Sequence, residues 1–229
     1  EYSRQNTENQ TRTDKIILMP GIYDEEIKIS ANNICIEGLK EKSEEIILKC
    51  SGDNIGIISG ENENPSNLKI KNLTVEMGDN TLIYAIGGDI EISNVIFRDE
   101  PGKEVAYGGV IVAEINMDSL KVMNCIFDFK TDDYSNFIDV CAGELKLNFL
   151  NNTFYGAKSS DAFIFWEGGV FDLVLYGNKI FIEENNSVKY SVFNEEAANS
   201  KKSDYNILIT GNREDKIIWN SNGTQYSAL

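Results

Sequence analysis

The chain has 229 residues, 41% hydrophobic and 25% charged, enough for one sizeable core that needs neither disulfides nor a structural metal. Its 37 acidic residues against 21 basic ones, with no His, give a net charge of −16. That balance disfavours nucleic acid and anionic membrane as partners, because phosphate binding needs clustered Lys and Arg; it suits solubility first and the uptake of cations such as Ca²⁺ second.

No run of about 18 apolar residues exists, so no membrane-inserted helix is expected. The four cysteines, Cys35, Cys50, Cys125 and Cys141, form no CxxC pair. Without His, a zinc site is not expected, and buried free thiols are the default reading; a disulfide is the alternative, which spacing alone does not establish.

Residues 1–14 read as a polar N-terminal extension and 15–229 as a single domain, irregular from about residue 186. From Lys15 onward, short apolar runs alternate with Gly, Asn, Asp and Ser, and there are three Pro. The pattern is all-β with strands of about four to seven residues. The nearest approach to a helical pattern is the short stretch NEEAANSKKS at 194–203.

A repeat underlies the strands. LKIKNLTVEM (68–77), IEISNVIFRD (90–99) and LKVMNCIFDF (120–129) each carry apolar residues two apart, an Asn, and a second apolar run. Aligned on the Asn and the apolar residue three places later, Asn72, Asn94, Asn124, Asn151 and Asn178 pair with Val75, Phe97, Phe127, Phe154 and Phe181. Asn212 is a weaker sixth match. A repeat of this size is the mark of a solenoid, and uneven steps mean that one turn of each coil varies in length. Each coil divides into three strands, as in GVIVAEI (109–115), LKVM (120–123) and CIFDF (125–129). The expected fold is a right-handed parallel β-helix of eight or nine coils, a rod roughly 40 Å long at strand spacing. In it the Asn forms a two-residue corner, where Asn tolerates left-handed backbone best after Gly, and its amides stack in a ladder. The sequons at Asn72 and Asn151 fall on that corner and are expected to be buried; those at Asn9, Asn185 and Asn222 do not.

The coils IEISNVIF and LKIKNLTV resemble those of pectate lyases. The opening IILMPGIYDEEIKI…NICIEG…EEIIL (16–48) resembles the first coils of pectin methylesterases, with Pro20, Gly21, Tyr23 and Glu25 or Glu26 on the pattern. The resemblance to the pectin lyase-like superfamily covers about residues 15–185. It speaks to fold rather than activity. The family's catalytic sets are incomplete here. DAFIFWEGG (161–169) lacks the Arg-x-Trp that should follow it; Asp132-Asp133 has no His or matching Arg; Arg98 lies on the third strand or its turn.

The resemblance implies a ligand groove along the first strand. With charged residues outward, that face carries Tyr84, Glu114, Asp139 and Glu167 in successive coils, and Asp89, Asp118, Glu144 and Asp172 precede the second strands. Stacked carboxylates lie about 5 Å apart per coil and repel, shift their pKa values or collect a cation. Asp118, Asp139 and Glu144 are the candidate Ca²⁺ ligands. Tyr84, Tyr107, Tyr134 and Trp166 are candidate platforms for a sugar ring. The expected function is a non-catalytic, carbohydrate-binding or scaffold module of a larger secreted or surface protein, since the chain begins at Glu1 without Met. The alternative is a divergent carbohydrate-active enzyme, either a Ca²⁺-dependent polysaccharide lyase or a two-carboxylate glycoside hydrolase. A bare structural spacer assembling through its open ends is a third reading.

Overall fold

The computed structural model describes residues 13–29, 31–50, 57–59, 67–77, 83–99, 110–128, 136–140, 144–155, 162–166, 170–182, 191–195, 198–204, 206–210, 217–221 and 224–227. They are almost all β-strand, in one sheet whose pairings are parallel except at the last strand. Each parallel pair joins a strand to one a coil further on. Asp14–Leu18 lies beside Ile34–Gly38, followed by 68–71, 90–93, 119–123, Glu144–Leu150, Val170–Tyr176 and Ala198–Asp204. This is the second stack. The first holds Ile27–Ile29, Ile57–Ser59, 83–85, 111–113, Asn136–Val140, Ala162–Trp166, Ser191–Glu195 and Ile217–Ser221. The third holds Gly21–Tyr23, Ile46–Cys50, 74–77, 96–99, Ile126–Asp128, Thr153–Tyr155, Lys179–Ile182 and Ile207–Thr210. The expected all-β parallel β-helix is the fold, with eight strands in each stack among the described residues. Thr224–Ser227 turns back antiparallel onto Ile217–Ser221.

The core follows from period-two alternation: parity sends every other side chain inward, and register stacks it on its like. Ile36, Ile70, Ile92, Val122 and Phe149 form one buried column, and Leu48, Val75, Phe97, Phe127 and Phe154 another. Phe97, Phe127 and Phe154 stack nearly parallel, with centroids 4.7 and 4.6 Å apart, at strand spacing.

The corner between the second and third stacks is where the Asn pattern acts. Asn72, Asn94, Asn124 and Asn151 all take left-handed backbone, with φ of 55°, 54°, 52° and 53°. The expected corner therefore holds for these four, and Asn94 Nδ2 donates to Asn72 Oδ1 at 3.2 Å. The fifth member does not belong. Leu150 pairs with Tyr176, so the residue stacked on Asn151 is Gly177, at φ 67°. Asn178 stacks on Asn152, and the aromatic alignment slips with it: Ile180 pairs with Phe154, while Phe181 stacks on Tyr155. Two positions thus carry Asn for two reasons. The corner residue needs αL backbone, and its side chain is exposed at Asn94, Asn124 and Asn151. Of the two sequons there, only Asn72 is buried. The residue after the corner points inward, and there Asn152, Asn178 and Asn206 build the buried ladder.

That ladder satisfies groups a tight corner would otherwise orphan. Asn152 Oδ1 accepts from the Cys125 N–H at 3.0 Å, Asn178 Oδ1 from the Asn152 N–H at 3.0 Å, and Asn206 Oδ1 from the Asn178 N–H at 2.9 Å. Each amide also donates one coil back, to the carbonyls of Val122, Phe149 and Leu175. The repeat in the sequence points to Asn212, which lies outside the described residues, whereas the ladder continues at Asn206.

Two further differences concern local propensity. The helix-like stretch 194–203 contributes to strands Ser191–Glu195 and Ala198–Asp204, because stacking against Ala162–Trp166 and Val170–Tyr176 overrides a weak preference. The one helical element among the described residues, a 3₁₀ turn at Lys40–Glu45, sits over the third stack, where Thr74 Oγ1 donates to the Ser43 carbonyl at 3.1 Å. The extension expected over 1–14 lies outside the described residues up to residue 12, and Asp14 already begins a strand.

Gly38 stands at the corner position one coil before Asn72, packed against it. A Cβ there would lie 2.1 Å from the Asn72 carbonyl oxygen and 2.9 Å from Ile46 Cδ1. Gly38→Ala is expected to cost about 2 to 3 kcal/mol, since the obstacle is backbone and must itself move. The check is the shift of the chemical-unfolding midpoint.

Candidate functional site

Of the residues expected to line the first-strand face, the register keeps Tyr84 and Asp139 on one column and places Glu114 off it. Tyr84, half-buried, shares a register position with Val112, Asp139 and Phe165. Glu114 is not on that column, because Val112 occupies the level between Tyr84 and Asp139 and Glu114 lies two residues further along. The backbone of Trp166 pairs with Val140, which pairs with Ala113, one residue beyond that column. The side chains of Glu114, Asp139 and Trp166 lie outside the described ones, and Glu167, Tyr107 and Tyr134 outside the described residues.

The second set of acids is not a column either. Asp89, Ser119, Lys146 and Asp172 share one register position, so a hydroxyl and a lysine interrupt the carboxylates. Asp118 is the extra residue of a bulge between the pairs Gly88–Met117 and Asp89–Ser119, and its side chain is exposed. Glu144 pairs with Val170 and is likewise exposed. Among the described residues no group of three or more His, Cys, Asp or Glu converges on a common point. The Asp118, Asp139 and Glu144 set is not brought together by the described side chains, Asp139 being outside them.

What the register does assemble is a polar groove at the entry to the second stack. It has a volume of about 380 Å³ and is lined by Thr13, Asn33, Asn67, Asp89, Ser119 and, one row over, Lys69, Glu91 and Lys121. The floor is Leu68 and Ile90, whose side chains turn into the core and hold the outward neighbours in place. Asn33, Asn67, Asp89 and Ser119 occupy successive coils at one position, because Ile34 pairs with Leu68, Leu68 with Ile90, and Asp89 with Ser119. Asn67 Nδ2 donates to Asn33 Oδ1 at 2.9 Å and Ser119 Oγ to Asp89 Oδ1 at 2.5 Å. Lys69, Glu91 and Lys121 stack in the adjacent outward row.

Glu91 sits at the centre of the charges. Partial burial pushes its carboxyl up, but the hydrogen bond from Lys71 and the charges of Lys71, Lys69 and Lys121 outweigh burial and hold it below the usual range. Lys71 Nζ lies 3.0 Å from Glu91 Oε1, and Lys69 Nζ lies 3.9 Å from Oε2. Glu91 is therefore ionised at neutral pH. Its contribution to stability is present above the ordinary glutamate range and is lost as pH falls through its lowered value. Further along this face Lys15 binds Glu37 at 2.7 Å, and that hydrogen bond raises the lysine.

Arg98, outside this groove, is held by Glu76 through Nε at 3.0 Å and Nη2 at 2.8 Å, on the outward side of the third stack. Cys35 and Cys125 are free, buried thiols. Burial pushes Cys125 up to about 12, although backbone hydrogen bonds offset part of it. Such a thiol is not a nucleophile at neutral pH. Cys125 is expected to resist alkylation in the folded protein and to react fully in denaturant, read residue by residue by mass spectrometry. The same shift makes its share of stability whole below about pH 9 and lost as pH rises toward about 12.

The groove was not legible in advance because its members are spaced 34, 22 and 30 residues apart, by subtraction of their positions, with no shared motif. Among the described residues no helix is long and apolar enough to cross a membrane. No protein-family model matches the chain, and neither the curated proteins nor the solved structures contain a match to it.

Proposed function

We propose that this chain is a non-catalytic polysaccharide-binding β-helix module, part of a larger secreted or cell-surface protein. The observation that carries this reading is the groove of Asn33, Asn67, Asp89 and Ser119, flanked by Lys69, Glu91 and Lys121. It presents amides and a hydroxyl, which both donate and accept, beside pure acceptors and pure donors. Sugar hydroxyls need that mixture. The residues recur once per coil, at about 4.8 Å, close to the length of one sugar ring. The likeness of the coils to the pectin lyase-like superfamily supports the same reading, and membership of that superfamily is part of the proposal.

The test is affinity electrophoresis of the whole chain through gels containing soluble polysaccharides, with product analysis of the same mixtures. Retardation without new reducing ends or unsaturated products is expected. Asn67→Ala combined with Asp89→Ala should weaken binding about tenfold or more, the equivalent of roughly 1.4 kcal/mol in lost hydrogen bonds. Sustained turnover of any glycan would replace the non-catalytic reading with the enzymatic one.

A further inference from the structure

We infer that the groove takes a neutral, hydroxyl-rich glycan chain running along the axis of the β-helix, and that it discriminates against polyanionic glycans. The inference rests on the polysaccharide-binding reading and narrows its ligand class. The groove's charged lining, among the described residues, is Lys69, Lys121, Asp89 and Glu91, two of each sign. Their order matters more than their sum. Lys69, Glu91 and Lys121 succeed one another coil by coil, with Asp89 beside Glu91 on the same level as the strand enters the core.

A polyanionic glycan carries its negative charges at close to this spacing. If one carboxylate meets Lys69, the next meets Glu91 and Asp89, where like charges at close range cost affinity. Lys69 and Lys71 are already engaged with Glu91. At longer range the net charge of −16 repels any polyanion approaching the face.

A neutral chain meets no such alternation. Its hydroxyls donate to Asp89, Glu91, the Asn oxygens and Ser119 Oγ, whose own proton goes to Asp89, and accept from Lys121 and the Asn amides. From Asn33 to Ser119 the row spans three strand spacings, about 14 Å, or roughly three rings. The repetition at one register position favours an extended ligand lying across the coils over a compact one.

The experiment compares neutral chains (dextran, xylan, mixed-linkage β-glucan) with polygalacturonate and alginate, by titration calorimetry on the full chain at low and high salt. The arms are wild type, Asn67→Ala with Asp89→Ala, and Lys121→Ala. All three sites face solvent or the groove, and circular dichroism checks that the variants fold. Binding of at least one neutral glycan, insensitive to salt and weakened about tenfold in the double variant, is expected. Salt-sensitive binding of a polyuronate that Lys121→Ala abolishes would overturn the inference while leaving the polysaccharide-binding reading in place. Neutral binding that no groove variant affects would overturn the groove as its site. Retention of no polysaccharide of either class would overturn both readings.

Discussion

Asn178→Ala is expected to cost about 4 kcal/mol of stability, with the loss centred on the coils around it. The side chain is 2% exposed and serves four partners. Its Oδ1 accepts from the Asn152 backbone N–H and from Asn152 Nδ2, and its Nδ2 donates to the Phe149 carbonyl at 2.9 Å and to Asn206 Oδ1 at 2.9 Å. Alanine leaves a backbone donor, an amide proton and a carbonyl without partners in a dry interior, and each buried orphan costs about 1 to 3 kcal/mol. Asn178→Asp should not rescue, because a carboxylate accepts but cannot donate to Phe149 and brings a buried charge. In a solenoid each coil contacts only its neighbours, so damage is local. Hydrogen exchange should show lost protection at the Asn152 amide and little change at Ile70 or Ile92. A urea midpoint shift equivalent to less than about 1 kcal/mol would mean that water replaces the ladder at little cost.

Phe127→Ala should cost a similar amount, about 4 kcal/mol, for a different reason. The ring is fully buried between Phe97 and Phe154. Its removal loses the transfer energy of the side chain, leaves a cavity that strands on both sides cannot close, and breaks two stacked pairs. Phe127→Leu, which refills most of the volume, should lose less than half as much. Denaturant titration separates the two variants, and added benzene should recover part of the alanine variant's loss by occupying a dry cavity. Equal losses for Ala and Leu would show that stacking rather than volume holds the column.

The two experiments bear on different parts of what could be read in advance. The corner was legible from Asn72, Asn94, Asn124 and Asn151 because its cause is local: a short turn demands left-handed backbone, and Asn supplies it. The slip at Asn178 arose because Asn151-Asn152 offers two candidates for one alignment. The pairs Asn-Asn at 151–152 and Gly-Asn at 177–178 do carry the signal, a residue suited to αL followed by a ladder amide. Asp118 and Glu144 fall on different levels for a related reason. A bulge at Asp118 and turns of unequal length change the phase between coils, and phase decides which carboxylates share a level.

The amino-acid sequence by itself determined most of the strands, the corner at Asn72, Asn94, Asn124 and Asn151, and hence the parallel β-helix, because period-two alternation and αL preference act within a few residues; the strands within 194–203 were set by stacking instead. The repeat also matched Val75, Phe97, Phe127 and Phe154 across coils, and only the tertiary structure decided which residues meet where coils differ in phase. The register across coils of 22 to 34 residues is set by packing of whole columns, and no local preference encodes it. For that reason the buried ladder runs through Asn206, and the groove gathers Asn33, Asn67, Asp89 and Ser119 at the mouth of the second stack.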